Sequence, residues 1–279
     1  MLFRSTTMYD YTVTFATLNC LDYTKKCVES LLASGVDASQ IVAVDNASTD
    51  GTQQYLQQCG LGDVILNRQN LSCGAAWNQG ILAQQSEWTI VMNNDIIVAP
   101  EFATRLIDFA RANEFKIVSP ARIDGTADYD FSQFAAHAQH VTAKAVRSGS
   151  SNAICMCIHW SLFNEIGFFR ASPSLLGFED GLFYNEVRKH GIAHATTGSV
   201  WIHHFGSVTQ EYMKMVLGIK SNDVLIKFND RRLYGQSWLD RKLYRHNLKR
   251  SHIEWRKQEL HSYGMTLHGI RGNHAFIWL

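Results

Sequence analysis

The fold of this chain is indicated most clearly by residues 41–52, which read IVAVDNASTDGT. Four apolar residues are followed by Asp45 and Asn46, and a second segment, residues 88–95 (WTIVMNND), repeats this arrangement and ends at Asp95. Continuous apolar runs of this length are typical of strands in a sheet that is covered on both faces. In an open parallel sheet, ligands bind at the carboxyl ends of the strands. Carboxylates at two such ends therefore predict a polar, metal-assisted site for a phosphorylated ligand.

Strands alternate with helices through the first half of the chain, and this alternation indicates βαβ units with right-handed connections. The predicted class is α/β, with a mostly parallel central sheet flanked by helices. The predicted strands cover residues 11–16, 41–44, 64–66, 88–92 and 116–119, and the predicted helices cover residues 22–33, 50–59, 74–84 and 100–113.

The second half is less regular. Residues 120–149 are polar, and we expect an irregular or antiparallel excursion there. We expect one α/β domain over residues 1–210 and a helical, basic extension over residues 211–279, with a break near Gly235 and no clear pattern after residue 263. The remaining predicted elements are strands at 153–159 and 200–203 and helices at 161–166, 181–190 and from 211 to about 262.

Composition narrows the class of protein. The 279 residues are 46% apolar and 18% charged, which suits a large core, and the net charge of +1 gives no reason to expect a nucleic-acid partner. Six cysteines occur without a CxxC pair, so we expect reduced thiols in a cytoplasmic protein. The first ten residues are short and polar, which argues against a signal peptide, and no apolar run approaches the roughly 18 residues of a membrane span.

The first predicted strand is not followed by a glycine-rich loop. The segment after it, residues 15–19 (FATLN), contains neither GxGxxG nor GxxxxGK[ST]. This argues against an ordinary dinucleotide-binding fold and against a P-loop. A phosphorylated ligand would then need another countercharge, which a divalent cation held by Asp95 would supply.

The order of the motifs resembles that of the inverting family 2 glycosyltransferases, which have the GT-A fold. The likeness covers roughly residues 10–210 and is greatest to bacterial transferases that build surface polysaccharides, including rhamnosyltransferase-like members. The residues that carry it are TLN at 17–19, VDNASTDGT at 44–52, NLSCGAAWNQGI at 70–81, MNND at 92–95, IGFF at 166–169, GFED at 177–180 and HHFGS at 203–207.

The resemblance implies a donor site for a nucleotide sugar. Asp45 matches the carboxylate that bonds the base, and a carboxylate accepts well from the imide N–H of uracil or thymine, which points to a UDP- or dTDP-sugar. The alternative is that Asp45 caps a helix, although Asp50, beside Gly51 and Thr52, fits that role better. The other donor-binding candidates are Thr17, Asn19, Asn46, Asn70, Gly74, Asn78, Asn93 and Asn94.

The family's DxD motif falls at residues 93–95, and here the chain departs from the pattern because its first acidic position is Asn93. We assign Asp95 as the ligand of Mg²⁺ or Mn²⁺, unless the three residues merely form a strand-end turn. The family often has a histidine just before a Gly-Ser pair that completes the metal shell. His204 matches this position better than His203, although a structural role stays open for both.

Inverting transfer needs a base that removes a proton from the acceptor hydroxyl. We assign this role to Asp180, with Glu179 as the competing candidate and helix capping as the structural alternative. Phe178 and Trp201 are weaker candidates for stacking on the acceptor sugar, since aromatic residues at such spacing more often belong to the core.

The implied partners are a nucleotide-sugar donor and a glycan or lipid-linked saccharide acceptor. The basic C-terminal helices are suited to anionic lipid, to solvent or to a protein partner, so we expect a cytoplasmic protein with peripheral contact at the inner face of the plasma membrane. Two alternatives belong to other classes. A non-catalytic sugar-binding domain would not need Asp45, Asp95 and Asp180 together, and a sugar-1-phosphate nucleotidyltransferase would need a Gly-rich loop with Arg and Lys after the first strand.

Overall fold

The computed structural model describes residues 10–170, 179–218 and 237–279. It has an α/β architecture, as the sequence predicts. The strands are β1 (Tyr11–Thr17), β2 (Ile41–Asp45), β3 (Asp63–Leu66), β4 (Trp88–Asn93), β5 (Ile96–Val98), β6 (Ile117–Gly125), β7 (Val146–Ser148), β8 (Cys155–His159), β9 (His194–His204), β10 (His268–Gly272) and β11 (Ala275–Trp278). The helices are α1 (Leu21–Ala33), α2 (Thr52–Gln58), α3 (Cys73–Ala83), α4 (Phe102–Ala112), α5 (Phe131–Thr142), α6 (Trp160–Ile166), α7 (Glu179–Lys189), α8 (Val208–Leu217) and α9 (Trp238–Tyr263), with a short 3₁₀ helix at Ala38–Gln40.

All the described strands belong to one curled sheet. Its main order is β11-β10-β6-β8-β4-β1-β2-β3, and β9 pairs with β5, β6 and β7 beside this path. The strands β3, β2, β1 and β4 run parallel, β8 runs antiparallel to β4 and β6, and β9 and β10 run parallel to β6. The parallel half matches the βαβ prediction, and the antiparallel pairs follow from β8 onward.

The apolar runs form strands because helices cover the sheet on both faces. Along β1, Val13 and Phe15 point into a core with α1 and α4, whereas Ala16 points into a second core with α3, α6 and α7. This alternation follows from the two-residue period of a strand. Both faces of the strands are therefore apolar, and the polar residues follow at the strand ends, beyond the covering helices.

The expected excursion at residues 120–149 contains regular structure. The strand β6 continues to Gly125, and Asp130 then caps α5 by accepting a hydrogen bond from the Gln133 N–H at 2.9 Å. The helix buries Phe131, Ala135 and Ala138 against a third core. The buried stripe consists mostly of small or polar residues, including Gln139 and Thr142, so its helical period is weak in the sequence, which explains why the pattern missed it.

The C-terminal region is not wholly helical. The helix α9 begins at a capping box of Ser237 and Asp240, and it is followed by a hairpin of β10 and β11 that joins the central sheet beside β6. The expected boundary at residue 210 falls inside α8, and the expected break near Gly235 lies outside the described residues.

Two further sequence expectations concern thiols and membrane spans. All six cysteines are free, in agreement with the expected reduced thiols. Within residues 10–170, 179–218 and 237–279, no helix has the length and apolar character that crossing a bilayer requires.

Candidate active site

A cavity of about 500 Å³ opens at the carboxyl ends of β1 and β4. It gathers nine of the residues that the sequence singles out, and these come from six separated motifs. The nine are Thr17, Asn46, Asn70, Asn93, Asn94, Asp95, Glu179, Asp180 and His204. Residues distant in sequence therefore meet at one edge of the sheet, as the strand-end argument predicts.

Asp45 lies behind the cavity wall, where its side chain is fully buried. Its Oδ1 accepts hydrogen bonds from the Ser48 N–H at 2.8 Å and from Gln53 Nε2 at 2.7 Å, so it holds the loop that follows β2. Its Oδ2 is buried and has no hydrogen-bond partner among the described residues. One oxygen thus builds the loop, while the hydrogen-bonding capacity of the other is not used by the described residues.

Asn19 and Asn78 have structural roles rather than contacts with the cavity. Asn19 Oδ1 accepts from the Thr49 N–H at 2.8 Å and so ties the first loop to the second. Asn78 donates to the Phe169 carbonyl at 2.7 Å and accepts from the Phe169 N–H at 3.1 Å. Since both ends of the Asn78 amide bond the same backbone, this side chain anchors the segment after α6, and it does not line the cavity.

Gly74, the first-turn glycine of α3, is required by close packing. A Cβ at this position would meet the side chain of Glu179, and the Gly74 N–H donates to Glu179 Oε1 at 3.3 Å. Gly74 therefore allows the acidic pair at the start of α7 to approach α3.

The polar wall next to β1 is built around the Asn94 amide. Asn94 Nδ2 lies 3.1 Å from Thr17 Oγ1 and 2.9 Å from Thr24 Oγ1, and all three side chains are buried. On the other wall, Asn46 donates to the Ser72 carbonyl at 3.2 Å, and Asn70 Nδ2 lies 3.3 Å from Met213 Sδ on α8. These contacts fix the loops that shape the cavity.

Asp95 and His204 face each other across the cavity floor. His204 Nε2 lies 3.5 Å from Asp95 Oδ1, while Asp95 Oδ2 accepts from the Val208 N–H at 3.2 Å. The Asp95 Oδ1 atom is buried and makes no hydrogen bond to the described residues. Burial disfavours the imidazolium, but the hydrogen bond to Asp124 and the negative charges of Asp95 and Asp124 outweigh it and raise the pKa of His204 to about 9.

The donor set of this pair fits a divalent cation, although it is sparse. Carboxylate oxygen suits Mg²⁺ and Mn²⁺, and imidazole nitrogen suits a transition metal such as Mn²⁺ better than Mg²⁺. Two bonds of about 2.1 Å can span the 3.5 Å between Asp95 Oδ1 and His204 Nε2. Within the described part of the chain, no group of three His, Cys, Asp or Glu side chains is arranged to hold a metal. A cation here would therefore need further ligands from the substrate or from water.

His203 points the opposite way along β9. Its ring lies between Tyr129 Oη at 2.9 Å and the Gly125 carbonyl at 3.1 Å, and the side chain has no exposed surface. Burial lowers the pKa of His203 to about 4. Of the two histidines, His204 is the one that reaches the cavity.

The two carboxylates at the start of α7 differ in environment. Glu179 is 1% exposed, and burial raises its pKa above the usual range. Asp180 is half-buried and lines the cavity. Asp180 is thus the more accessible of the two to a molecule in the cavity.

The structure describes only one of the two aromatic residues that were predicted to stack on the acceptor sugar. Trp201 is fully buried in the third core, and its indole N–H donates to Thr142 Oγ1 at 3.0 Å. It offers no open ring face, so the structure argues against stacking on a sugar. Phe178 lies outside the described residues.

Sequence reasoning missed three residues around His204. Arg122 lines the cavity, and Asp124 accepts hydrogen bonds from His204 and from His268 of β10. Burial would raise the pKa of Asp124, but these hydrogen bonds and the charge of Arg122 hold it well below its usual range. Arg122 and Asp124 could have been found from the sequence, because they lie just beyond the strand predicted at residues 116–119. In the structure this strand is β6, and both residues lie near its carboxyl end.

Comparison with known families gives one extensive match. The family model described as glycosyl transferase family 2 matches residues 12–168, which is more than half of the 279 residues. No protein among the curated sequences matches the chain significantly.

Solved structures of other proteins resemble this chain in fold. One is the mannosyltransferase PcManGT from Pyrobaculum calidifontis in complex with GDP-Man and Mn²⁺, with 14% identity and a TM-score of 0.55 over 71% of this chain and 57% of that chain. Another is GalNAc-T7 with UDP, GalNAc and Mn²⁺, with 12% identity and a TM-score of 0.55 over 72% of this chain and 44% of that chain. This chain thus spans about half the length of the solved structures it matches.

Proposed function

Since this chain belongs to glycosyl transferase family 2 and has the GT-A fold, we propose that it moves a sugar from a nucleoside-diphosphate donor to a hydroxyl group of an acceptor, with inversion at the anomeric carbon. The observation that carries the proposal is one cavity lined together by Asn46, Asp95, His204 and Asp180. These residues supply, in one space, a nucleotide-binding edge, ligands for a cation and a carboxylate base. The solved structures that share the fold contain GDP-Man or UDP, which agrees with a nucleotide-bound donor.

The base of the donor would bind near the end of β2. The Oδ2 atom of Asp45 is the acceptor for an imide N–H, because Oδ1 already has two partners. This favours uracil or thymine, and hence a UDP- or dTDP-sugar. The Asp45 side chain is fully buried, so the nucleotide would have to displace part of the loop over it.

The diphosphate would bind near Asp95, His204 and Arg122. Asp95 Oδ1 and His204 Nε2 would hold Mg²⁺ or Mn²⁺, and His204 must give up its Nε2 proton to do so. When bound, the cation would neutralise the charge that develops on the leaving diphosphate. Both solved structures named above contain Mn²⁺. The Arg122 guanidinium, which also lines the cavity, adds a fixed positive charge.

Asp180 would act as the general base. Its carboxylate accepts the proton from the attacking hydroxyl as the hydroxyl reaches the face of the sugar opposite the diphosphate. Asp180 lies in the first turn of α7, where the partial positive charge of the helix N-terminus stabilises a negative charge. Glu179 is less suitable, since its buried Oε1 already accepts from the Gly74 N–H.

The acceptor would be a glycan or a lipid-linked saccharide, and α9 is suited to bring the protein to a membrane. This helix has seven Lys or Arg residues against three Asp or Glu residues. Its side chains Leu239, Leu243 and Ile253 are more than half exposed. Exposed apolar and basic side chains on one helix favour anionic lipid surfaces. Equal sedimentation of wild type and Lys242→Glu/Lys249→Glu with anionic vesicles would contradict this part of the proposal.

The experiment that tests the function is transfer from a panel of UDP-, dTDP- and GDP-sugars with Mn²⁺, comparing wild type with Asp180→Asn. The variant keeps the shape of the carboxylate and removes its basicity, so turnover should fall by about 10²- to 10⁴-fold while donor affinity hardly changes. The matched control is Glu186→Gln, on the same helix and bound to Lys189 at 3.0 Å, which should keep normal turnover. A product with the anomeric configuration of the donor would overturn the proposed mechanism.

The strongest alternative is a non-catalytic sugar-binding domain of the same fold. The observation that favours it is Asn93 in place of the first acidic residue of the metal motif. Slow hydrolysis of the nucleotide sugar by wild type without any acceptor would exclude this alternative, because a binding domain leaves the donor intact.

A further inference from the structure

Three neighbouring strands carry a row of polar side chains that reaches the cavity at His204 and Arg122. The strand β6 lies between β9 and β10, with Asp124 opposite His204 on one side and Arg122 opposite His268 on the other. All three strands run parallel, so their carboxyl ends meet at the same edge. His268 is thereby brought to the site from a strand that lies about one hundred residues beyond the segment matched by the family model.

The row is continuous in hydrogen bonds. His268 Nε2 lies 2.7 Å from Asp124 Oδ2, and Asp124 Oδ1 lies 2.9 Å from His204 Nδ1. Arg122 Nε lies 3.2 Å from both oxygens of Asp124. Each carboxylate oxygen therefore has its own imidazole partner, and the carboxylate plane is fixed from three sides.

This arrangement determines how His204 faces the cavity. Because Nδ1 of His204 is held by Asp124, the opposite ring atom Nε2 is directed at Asp95 Oδ1, 3.5 Å away. With Nδ1 hydrogen-bonded to Asp124, Nε2 is the ring nitrogen that can bind a metal once it carries no proton. Carboxylates that hold a histidine ring in this way typically change metal affinity about 10- to 100-fold when removed.

We propose that Asp124 and His268 are positioning residues for His204, so that the C-terminal hairpin completes the metal-binding half of the active site. The inference rests on the proposed function, since it presumes that His204 binds a cation. It assigns a functional role to a part of the chain outside the matched segment: the hairpin supplies the histidine that fixes Asp124, and Asp124 fixes the ring of His204.

A matched control, Asp128, bonds to the same hairpin from the segment after β6. Asp128 accepts from Arg271 Nε at 2.6 Å and from His274 Nδ1 at 2.5 Å, so it also ties β10 and the hairpin turn to the segment after β6. It makes no contact with His204 among the described residues. Asp128→Asn therefore weakens the attachment of the hairpin without altering the row of polar side chains.

The experiment compares full-length Asp124→Asn, His268→Gln, Asp128→Asn and His204→Gln with wild type. Mn²⁺ binding is measured by calorimetry, with and without UDP and GDP. The side-chain nitrogens of ¹⁵N-labelled histidine are recorded at one fixed pH without metal, and the His204 signals are identified by their loss in His204→Gln. Circular dichroism establishes that each variant is folded.

We expect Asp124→Asn to weaken Mn²⁺ binding about 10- to 100-fold and His268→Gln to weaken it within the lower part of that range, while Asp128→Asn binds like wild type. In the metal-free spectra, the His204 nitrogens should shift in Asp124→Asn and in His268→Gln but not in Asp128→Asn. A purely structural role of the hairpin would instead give Asp128→Asn and His268→Gln the same effects.

The two proposals can fail separately. If wild type binds Mn²⁺ and His204→Gln does not, but Asp124→Asn and His268→Gln bind normally, the positioning role is overturned and the proposed function stands. If wild type binds neither Mn²⁺ nor a nucleotide, the proposed function fails. The positioning role is then decided by the metal-free spectra, and unchanged His204 signals in His268→Gln overturn it.

Discussion

At the scale of single residues, the site depends on buried carboxylates that have different partners. Asp45 bonds its own loop, Asp95 bonds the first turn of α8, and Glu179 bonds the first turn of α3. The sequence could identify these residues because each stands at the end of a strand or the start of a helix. It could not identify the partners of Asn78 or Asp124, because Phe169 and His268 lie 91 and 144 residues away along the chain.

Glu179 should decrease stability at neutral pH. Burial, followed by the nearby charge of Asp180, raises the pKa of Glu179, so the folded state binds a proton more tightly than the unfolded state. The penalty is absent below the unfolded pKa of about 4.3 and develops as the pH rises to the folded pKa. We therefore expect Glu179→Gln to be more stable than wild type at pH 8, with the difference vanishing near pH 4.

Urea unfolding at a series of pH values measures this difference. Exposed Glu211 provides the control, because Glu211→Gln should follow wild type at every pH. A Glu179→Gln protein that is less stable than wild type at pH 8 would show that the carboxylate makes a favourable ion contact instead.

We expect the two carboxylate oxygens of Asp45 to have separate roles, Oδ1 in stability and Oδ2 in ligand binding. Asp45→Ala removes the acceptor of two buried hydrogen bonds, which should cost about 1 to 3 kcal/mol of unfolding free energy. Asp45→Asn keeps the Oδ1 acceptor and places an NH₂ group at the position of Oδ2. Stability should then change less than in Asp45→Ala, while UDP affinity falls by about 1 to 3 kcal/mol.

Thermal unfolding measures the effect of each Asp45 variant on stability, and calorimetry with UDP measures its effect on ligand binding. The control is Asp37, which also accepts a hydrogen bond from a nearby backbone N–H, that of Ser39 at 2.8 Å, but on the surface. Asp37→Ala should leave UDP binding unchanged. Normal UDP binding by Asp45→Asn would restrict Asp45 to its role in the loop.

At the scale of secondary-structure elements, the apolar strands and their covering helices follow from the sequence pattern. The continuous runs at β2 and β4 are fully predictable, because both faces of these strands are buried. The strand β9 is not, because it runs for 11 residues through polar Thr196, Thr197 and Ser199, which its neighbours α5, β6 and β7 accommodate. Pairing with distant strands, not local propensity, determines its length.

The contact between α3 and β1 provides a test of packing at this scale. A Cβ on Gly80 would meet the side chain of Thr14, which is fully buried and donates to the Val42 carbonyl at 3.0 Å. Replacing a mid-helix glycine with alanine usually stabilises a helix by about 1 kcal/mol. Here overpacking should dominate, so Gly80→Ala should lower the unfolding free energy by about 1 to 3 kcal/mol.

Chemical denaturation of Gly80→Ala and of Gly272→Ala measures this effect. A Cβ added to Gly272 would meet no atom within 4 Å, and the φ angle of Gly272 is not positive, so its replacement should have little effect. Equal stabilities of the two variants would show that α3 can move away from the sheet without cost.

At the scale of the whole molecule, a buried ion pair joins the C-terminal region to the sheet. Arg147 of β7 bonds both carboxylate oxygens of Glu259 on α9, at 2.7 and 2.8 Å, and both side chains are buried. Glu259 Oε2 also accepts from the Leu267 N–H at 2.8 Å, just before β10. The sequence shows a basic helix here, but it does not reveal that one inward-facing glutamate anchors it.

Removing one member of this pair should destabilise the protein strongly. Arg147→Met leaves the Glu259 carboxylate buried without its partner, which should cost about 3 to 5 kcal/mol, while Arg147→Met/Glu259→Leu should recover part of the loss. The exposed pair of Glu101 and Arg105 is the control, because Arg105→Ala should cost less than about 1 kcal/mol. Guanidinium unfolding measures all three, and a double variant less stable than Arg147→Met would contradict the role of the unpaired charge.

The position of β10 also constrains the order in which the protein can be made. Residues 122–125 of β6 pair with a strand that the ribosome synthesises about 145 residues later, so this edge stays unpaired through more than half of translation. Contacts of such separation form slowly, and unpaired edges promote aggregation. During that interval His204 and Asp124 can already meet, but His268 cannot. A shortened gene ending near residue 210 would therefore yield an aggregation-prone chain rather than a smaller working enzyme.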